Sequence, residues 1–300
     1  MMGKFFTIFI FCFILLVTTG DAFSQEILVV QNLRIKPYAE ALEGFKTSLN
    51  GKFRDIHYTI RDGADATASI RERKPDLILA VGMEALQKVK RVSHIPIVYI
   101  MVLNPSMVLD EERNVTGVGM TIAPEKQLAL LHRVLPGTRR IGLLYDPKKS
   151  GLFVKRAQSA ARDLRIDLLS REVTHARAVP EVLKSLKGVV DALWLIPDTT
   201  VVTPETAELI MLFSLENAVP VSAFSAKYLE MGALMSLDVN ASDMGRQAGA
   251  LAAKILSGTK VHDLPAVDAE NPLITINAAV ARKLRIPLSD EVRGKARILN

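Results

Sequence analysis

Apolar runs of strand length alternate with segments of helical spacing along most of the chain. The runs lie at Ile27–Val30, Leu77–Val81, Ile95–Val102, Ile141–Tyr145, Ala192–Ile196 and Ala233–Leu237. Apolar residues recur on one helical face within Tyr38–Leu49, Gln127–Leu135, Phe153–Leu164, Pro204–Leu215 and Met244–Leu256. Continuous apolar strands separated by amphipathic helices predict parallel sheets that are covered by helices on both faces. The predicted fold class is therefore α/β.

The strand–helix pattern repeats once along the chain. Asp76 and Asp191 precede similar strand–turn–helix segments and lie 115 positions apart (191 − 76). The strands that start at Ile27 and Ile141 are offset by 114 positions (141 − 27). Offsets that agree so closely predict two α/β lobes of the same plan. Open α/β sheets bind ligands at the carboxyl ends of their strands, so two facing lobes would form a cleft that closes on a ligand.

The first twenty-four residues differ from the rest. Met1–Lys4 is short and basic, Phe5–Val17 is almost entirely apolar, and Ala22–Ser24 ends in small residues around a possible cleavage point. This pattern predicts a secretory signal peptide that is cleaved after Ser24. An uncleaved anchor is the alternative, although the run is shorter than the roughly 20 residues of a membrane span. Cys12 lies inside the run without small residues before it, which argues against lipid attachment. We therefore expect a periplasmic protein.

Composition narrows the classes of function. The chain has 300 residues, of which 49% are hydrophobic, so it can form one large or two medium domains. The net charge of +6 is scattered over helix faces, which is typical of solvated surfaces. Aromatic residues make up only 6%, so a basic, aromatic-rich nucleic-acid platform is not expected. Cleavage would remove the single cysteine, which excludes disulfides, thiolate metal sites and a cysteine nucleophile from the mature chain.

Catalytic and cofactor motifs are missing from the sequence. It contains neither a G-x-S-x-G elbow nor a Walker A loop. The pair Gly117 and Gly119 lacks the rest of a dinucleotide fingerprint. The five histidines are isolated, without the short spacing of a metal site: His57, His94, His132, His175 and His262. We expect no enzyme activity, cofactor or metal.

An ordered series of short motifs resembles a known family. The series comprises Ile95–Tyr99, Asn104-Pro105, Asn114–Val118, Leu135–Tyr145, Met244–Arg246, Ile255–Gly258, Ile274–Asn277 and Leu284–Pro287. Together these motifs resemble the uncharacterised and tryptophan-type subgroup of ABC-transporter substrate-binding proteins, over essentially the whole mature chain. The resemblance implies a type I periplasmic-binding-protein fold. In that fold, two doubly wound, Rossmann-like lobes are joined by a three-crossover hinge, and a small molecule binds between them.

The resemblance also implies domain boundaries and partners. Residues 25–119 and 240–262 would form the N-terminal lobe, and residues 120–239 and 263–300 the C-terminal lobe, after the signal peptide of residues 1–24. The crossovers are expected near Gly117–Ala123, near Leu237–Asn240 and between Val261 and Asn271. The partners would be a small-molecule ligand and an ABC permease in the membrane, with no nucleic acid, and the protein itself would be a monomer.

Candidate ligand-binding residues follow the predicted strands. They are Asn32, Arg34, Gly82, Met83, Asn104, Tyr145, Asp198, Thr199, Thr200, Phe224, Ser225 and Asp238. Related proteins often carry a hydroxyl residue after the glycine, where Met83 stands here, so the backbone N–H groups after Gly82 remain as donors to a carboxylate. Asp198 either binds a ligand amine or caps the following turn. Phe224 either stacks on an apolar ligand or belongs to the core.

Three functions follow from these patterns. The first is a periplasmic substrate-binding component of an ABC importer that captures a small polar or amphipathic molecule, such as an amino acid, in the interlobe cleft. The second is a ligand-binding sensor module that serves a membrane receptor or kinase. The third is an exported hydrolase on an α/β scaffold, which requires a nucleophile, base and acid to converge at one strand edge.

Overall fold

The computed structural model describes residues 25–50, 52, 56–62, 66–110 and 113–300. The predicted signal peptide, residues 1–24, lies outside this part of the chain. The described residues form two lobes, each built on its own sheet with helices on both faces. The α/β class and the two-lobe plan predicted from the sequence are thus confirmed.

The first lobe contains a six-stranded parallel sheet. Its strands are β1 (Gln25–Gln31), β2 (Ile56–Arg61), β3 (Leu77–Val81), β4 (Ile97–Val102), β5 (Val115–Ile122) and β11 (Val267–Ala269). Their order is β11-β5-β4-β3-β1-β2, and every neighbouring pair is parallel. The helices of this lobe are α1 (Lys36–Leu49), α2 (Ala66–Arg73), α3 (Met83–Val89) and α9 (Ala241–Leu256). The central strands β3 and β4 are buried along their whole length, as their continuous apolar sequences predict.

The second lobe contains a seven-stranded sheet. Its strands are β6 (Arg140–Tyr145), β7 (Asp167–Glu172), β8 (Ala192–Trp194), β9 (Val221–Ala223), β10 (Met235–Asp238), β12 (Leu273–Asn277) and β13 (Arg297–Leu299), in the order β13-β12-β10-β9-β8-β6-β7. Its helices are α4 (Pro124–Val134), α5 (Pro147–Asp163), α6 (Val179–Lys184), α7 (Pro204–Asn217), α8 (Lys227–Glu230), α10 (Ala278–Lys283) and α11 (Asp290–Lys295).

Three short crossovers connect the lobes at the carboxyl ends of strands. β5 ends at Ile122 and α4 starts at Pro124; β10 ends at Asp238 and α9 starts at Ala241; β11 ends at Ala269 and β12 starts at Leu273. Because each crossover leaves a strand at its carboxyl end, the carboxyl edges of the two sheets adjoin. The same geometry explains a departure from an all-parallel second sheet, since β12 enters it from that edge and pairs antiparallel with β10.

Helix α9 returns to the first lobe and packs closely on α1. A Cβ atom at Gly44 would lie 2.0 Å from the Ser242 carbonyl oxygen, and one at Gly245 would lie 1.9 Å from the Ala41 carbonyl oxygen. Only glycine permits this approach of two helix backbones. The first sheet itself extends through β5 to Ile122 and includes β11, so its pairing reaches beyond residues 119 and 262, where the sequence placed lobe boundaries.

Among the described residues, no helix is both long enough and apolar enough to span a membrane.

Candidate functional site

The candidate site is the pair of adjoining carboxyl edges. In the first lobe, the loops after β1, β3 and β4 begin at Asn32, Gly82 and Leu103. These strands are neighbours in the sheet, in the order β4-β3-β1, so the three loops lie side by side. In the second lobe, the loops after β6, β8, β9 and β10 occupy the corresponding edge. Most of the residues predicted to bind a ligand therefore lie on these two edges.

The first edge carries a polar cluster, which consists of Asn32, Glu84 and Tyr38 next to Gly82. The Asn32 amide Nδ2 donates to Glu84 Oε2 at 2.7 Å, which links the loop after β1 to the first turn of α3. Gly82 has φ +91°, and a Cβ atom there would lie 2.2 Å from the Tyr38 hydroxyl oxygen. Burial, and next the negative charge of Glu84, raise the pKa of the Tyr38 phenol. The cluster places one exposed carboxylate, Glu84, beside an amide that orients it.

Large apolar residues that are open to solvent follow the two strands that flank β3 on this edge. Leu33 and Ile35 follow β1, and their side chains are 50% and 44% exposed. Leu103 and Met107 follow β4, and their side chains are 42% and 76% exposed. Large apolar residues gathered at one strand edge are typical of a surface that a ligand or partner covers.

The other predicted residues of the first edge differ in environment. Arg34 and Asn104 are exposed. Asn104 precedes the short 3-10 turn of residues 105–107 without a side-chain cap. Met83 is half-buried and packs against the hydrophobic cluster under α2 and α3. The side chain of Met83 is thus directed at the core, which leaves the position without a polar side chain for a ligand.

On the second edge, Asp198 is the centre of a closed hydrogen-bond network. Asp198 is only 1% exposed. Oδ2 accepts from the Asp146 backbone N–H at 2.8 Å and from the Ser150 hydroxyl at 2.7 Å. Oδ1 accepts from the backbone N–H groups of Thr200 at 2.9 Å and Val201 at 3.3 Å. Both oxygens are occupied within the protein, which favours the turn-capping alternative over direct contact with a ligand amine.

The neighbouring hydroxyl groups also form hydrogen bonds within the protein. The Thr200 hydroxyl donates to Asp146 Oδ2 at 2.7 Å, and this bond is the main cause of the lowered pKa of the Asp146 carboxyl. Thr199 is exposed, and its hydroxyl accepts from Lys149 Nζ at 2.6 Å. The Tyr145 hydroxyl donates to Glu172 Oε1 at 3.1 Å, toward the edge strand β7. Burial, followed by this bond, raises the pKa of the Tyr145 phenol.

The loops after β9 and β10 hold each other in place. Asp238 Oδ1 accepts from the Ala226 backbone N–H at 3.0 Å, and Oδ2 accepts from the Ser236 hydroxyl at 2.8 Å. Phe224 is half-buried and meets the Tyr228 ring edge-on, with the centroids 5.0 Å apart. Ser225 is half-buried and its carbonyl oxygen accepts from the Tyr228 backbone N–H. Phe224 thus presents part of one aromatic ring at the second edge.

Sequence reasoning missed several members of the site. The sequence does not single out Glu84 within the loop after β3. Tyr38 falls on the apolar face of α1, where the sequence allows either core packing or stacking on an apolar ligand. The exposed group of Leu33, Ile35 and Met107 was also missed. A signal was present, because Leu33 and Ile35 stand between β1 and α1 and Met107 stands in the 3-10 turn after β4, where polar residues are usual.

One surface groove of the described residues lies away from these edges, and those residues contain no metal-binding cluster. In the described ranges, no group of three or more His, Cys, Asp or Glu side chains is arranged to hold a metal ion. A surface groove of about 280 Å³ lies instead between α5 and β7, and is lined in part by Gln158, Arg162 and Leu168.

Comparison with known proteins gives a consistent family. The family model for ABC transporter substrate binding proteins matches residues 42–298. A tyrosine-binding protein of Clostridioides difficile (strain R20291) is 24% identical over 262 residues, which cover 83% of this chain and 75% of that protein.

Solved structures share the fold. The ligand-free, open structure of a substrate binding protein with adhesive properties from Clostridium difficile superposes with a TM-score of 0.73 at 23% identity, and covers 92% of this chain and 99% of that chain. The structure of an ABC domain from Streptococcus pneumonia in complex with L-Trp has a TM-score of 0.58 at 18% identity, and covers 92% of this chain and 100% of that chain. Type I periplasmic binding proteins therefore share the two-lobe architecture described above.

Proposed function

Because the chain belongs to the ABC transporter substrate-binding protein family, we propose that it is the periplasmic binding component of an ABC importer. It captures a small molecule between its two lobes, and an amino acid with an apolar side chain is the ligand class that fits best. The closed, ligand-bound form then docks on a membrane permease and releases the ligand there.

One observation carries the proposal of an amphipathic ligand. On the first edge, the exposed Leu33 and Ile35 follow β1 and the exposed Leu103 and Met107 follow β4, the strands on either side of β3. The Asn32–Glu84 pair joins the loop after β1 to the helix after β3. Apolar surface around a few convergent polar groups is the usual composition of a small-molecule site. A ligand ammonium group beside Glu84 would form a charge-assisted hydrogen bond, while an apolar body would cover the leucines.

The relatives support the same ligand class. One curated relative is a tyrosine-binding protein, and one structure of the same fold holds L-Trp. Both tyrosine and tryptophan join an ammonium group to a large aromatic side chain, which the Glu84 carboxylate and the apolar side chains of the first edge would complement.

The two-lobe architecture explains how binding would be signalled to a permease. A ligand that contacts both edges at once binds the closed arrangement more tightly than the open one, and shifts the population toward it. The second edge contributes Phe224 and the exposed Thr199 as surfaces that face such a ligand. The networks around Asp198 and Asp238 hold these loops in position.

Thermal-shift and calorimetric titrations test the ligand class. The exported protein is titrated with the apolar and aromatic amino acids, with charged amino acids, and with sugars and nucleosides as controls. We expect stabilisation by one or more apolar amino acids and none by sugars. A well-folded protein that no small molecule stabilises would contradict the proposal.

Transport is tested separately from binding. Uptake of the labelled ligand by host cells is compared before and after deletion of the gene, with the chromosomal copy restored as the control. Loss of uptake supports the importer role. Unchanged uptake, together with tight binding of the same ligand in vitro, would contradict transport and favour the sensor alternative.

A further inference from the structure

The outward face of α5 carries a basic stripe. Spacings of four, three, four and three residues place one side of the helix in solvent: Lys148, Leu152, Lys155, Ser159 and Arg162, called here the α5 stripe. The opposite side is buried in the second lobe through Val154, Ala157, Ala160 and Ala161. The stripe extends over about 21 Å at 1.5 Å per residue.

The α5 stripe takes no part in the salt bridges of the described residues. Lys148 does interact with the Asp146 carboxyl, whose pKa is lowered mainly by the Thr200 hydroxyl and to a smaller extent by Lys148. Within the part of the chain that the structure describes, Lys148, Lys155 and Arg162 form no ion pair. Arg156, one position round the helix, differs, because it contacts Glu125 and Asp268 at 3.2 Å each. Among the described residues, the stripe is therefore a line of cations without salt bridges beside one paired arginine.

A leucine stands in the middle of these cations. Leu152 is 84% exposed, the largest value among the exposed large hydrophobic side chains of the described residues. A lone exposed leucine is ordinary, but here it lies one helical turn from both Lys148 and Lys155. Basic and apolar groups on one helix face are the composition that binds anionic lipid surfaces.

We propose that the α5 stripe binds the anionic surface of a phospholipid bilayer. The charge is complementary, since each lysine or arginine close to an anionic membrane strengthens binding by about 5-fold. Leu152 adds apolar contact at the level of the headgroups.

The composition favours a membrane over an acidic protein. Protein interfaces concentrate their affinity in aromatic and arginine anchors that fill pockets. The α5 stripe has no aromatic residue and carries its charge on long side chains. A fluid anionic surface can adapt to such a helix without a matching pocket.

This attraction would place the binding protein close to its permease. Helix α5 begins directly after β6, at the carboxyl edge that borders the cleft. If the proposed importer role holds, weak adsorption through α5 would keep the cleft near the membrane. The binding itself does not depend on which ligand the cleft takes.

Vesicle co-sedimentation tests the inference. The exported form of the full protein, with its start defined by intact mass spectrometry, is mixed with vesicles of equimolar phosphatidylglycerol and phosphatidylcholine, or of phosphatidylcholine alone. We expect binding to the anionic vesicles only, and loss of that binding at high salt. Equal binding to both vesicles would indicate apolar anchoring elsewhere and would overturn the proposal.

Two variants with equal charge locate the surface. The triple variant Lys148→Gln/Lys155→Gln/Arg162→Gln should weaken binding by about 100-fold, from three charges of about 5-fold each. The control Lys88→Gln/Lys184→Gln/Lys254→Gln removes the same charge from exposed positions on α3, α6 and α9, and should change binding by less than about 5-fold. Equal losses would reduce the effect to net charge and overturn the assignment.

Leu152 and a protein competitor complete the test. Leu152→Ala, which keeps the charge, should weaken vesicle binding several-fold and leave thermal unfolding unchanged. Polyglutamate immobilised on beads serves as the acidic polypeptide. Binding of the stripe to polyglutamate, without binding to anionic vesicles, would overturn the proposal in favour of an acidic protein partner.

Discussion

Asp191 and Arg140 join the amino ends of β8 and β6 through both backbone and side chain. The Asp191 Oδ2 atom accepts from the Arg140 backbone N–H at 2.8 Å, and the Arg140 guanidinium donates to Oδ1 at 2.7 Å. In return, the Asp191 backbone N–H donates to the Arg140 carbonyl oxygen at 2.8 Å. The first lobe contains the same exchange, in which Glu26 N–H donates to Asp76 Oδ2 at 2.9 Å and Asp76 N–H donates to Glu26 O at 2.8 Å.

Removal of the Asp191 carboxylate should destabilise the second lobe. Asp191→Ala leaves the N–H groups of Arg139 and Arg140 without their acceptor, and we expect a loss of about 1–3 kcal/mol in the free energy of unfolding. Urea unfolding measures it. Asp163→Ala, at an exposed position on α5, is the control and should change stability by less than about 0.5 kcal/mol. Equal effects of the two variants would contradict the role of Asp191.

The same carboxylate predicts a dependence on pH. Burial alone would raise the pKa of the Asp191 carboxyl, but the hydrogen bonds and charge of Arg140 outweigh it, so this pKa is lowered. A lowered pKa contributes stability above the unfolded-state value of about 3.9. That contribution is lost as the pH falls through the lower folded-state value. The stability difference between the wild type and Asp191→Ala should therefore be constant near neutral pH and shrink below about pH 4.

Gly82 should tolerate alanine less well than a glycine of similar conformation. Gly82→Ala combines an unfavourable φ of +91° with a contact to the Tyr38 hydroxyl, whereas Gly258 has φ +99° and nothing within 4 Å of an added Cβ. We expect Gly258→Ala to lose about 1–2 kcal/mol from backbone strain, and Gly82→Ala to lose about 1–3 kcal/mol more. Thermal unfolding compares them. Tyr38→Ala should remove most of the difference, and failure to do so would contradict the steric explanation.

Gln127 links the end of β5, at the first crossover, to Trp194 on β8 of the second lobe. Its side chain donates to the Ile122 carbonyl oxygen at the end of β5 at 2.7 Å, and accepts from Trp194 Nε1 at 3.1 Å. Gln127→Leu leaves both buried groups unpaired and should destabilise the protein by about 2–4 kcal/mol. Trp194 is the single tryptophan of the sequence, so its fluorescence follows the change directly.

A conservative variant separates the two bonds of Gln127. Gln127→Glu retains an acceptor for Trp194 but places a carboxylate oxygen against the Ile122 carbonyl oxygen, so it should also destabilise the protein. Its Trp194 emission should nevertheless stay closer to that of the wild type than the emission of Gln127→Leu. A reversed order of the two variants would show that the Trp194 bond is not the main contribution.

Substitution of Asp198 should lower the stability of the protein rather than remove a direct ligand contact. Asp198→Ala removes the acceptor of four protein donors, and we expect a loss of about 2–4 kcal/mol. Ser150→Ala removes one of those donors and should lose about 1 kcal/mol. Denaturant unfolding and ligand titration are measured on the same samples. A variant at Asp198 with unchanged stability and abolished binding would instead identify this carboxylate as a direct ligand contact.

The exposed leucines of the first edge should affect affinity without affecting stability. Leu103→Ser removes apolar surface that a ligand would cover, and we expect about 10-fold weaker binding of an apolar amino acid by calorimetry. Leu209 on α7 is 40% exposed, close to the 42% of Leu103, and Leu209→Ser is therefore the matched control. Equal affinities of the two variants would place the apolar part of the ligand elsewhere.

The sequence by itself determined the fold class and the two-lobe plan, because both depend on patterns along the chain. Continuous apolar runs such as Leu77–Val81 specify buried parallel strands, and the similar offsets at Asp76 and Asp191 specify two lobes of one plan. The resemblance to a family implied the three-crossover hinge and a ligand site between the lobes. Short or half-exposed elements such as β7 were not predicted, since their burial pattern lacks a clear period.

Only the tertiary structure decided which residues share the site and which of their carboxylates already accept hydrogen bonds from the protein. Asp198 and Glu84 are both carboxylates near strand ends, and their local sequences do not distinguish them. The fold surrounds Asp198 with four donors and leaves Glu84 exposed beside Asn32. It also brings Leu33 and Leu103, which are seventy positions apart in the chain (103 − 33), to the same sheet edge. Such differences arise from contacts between distant segments, and a one-dimensional pattern does not contain those contacts.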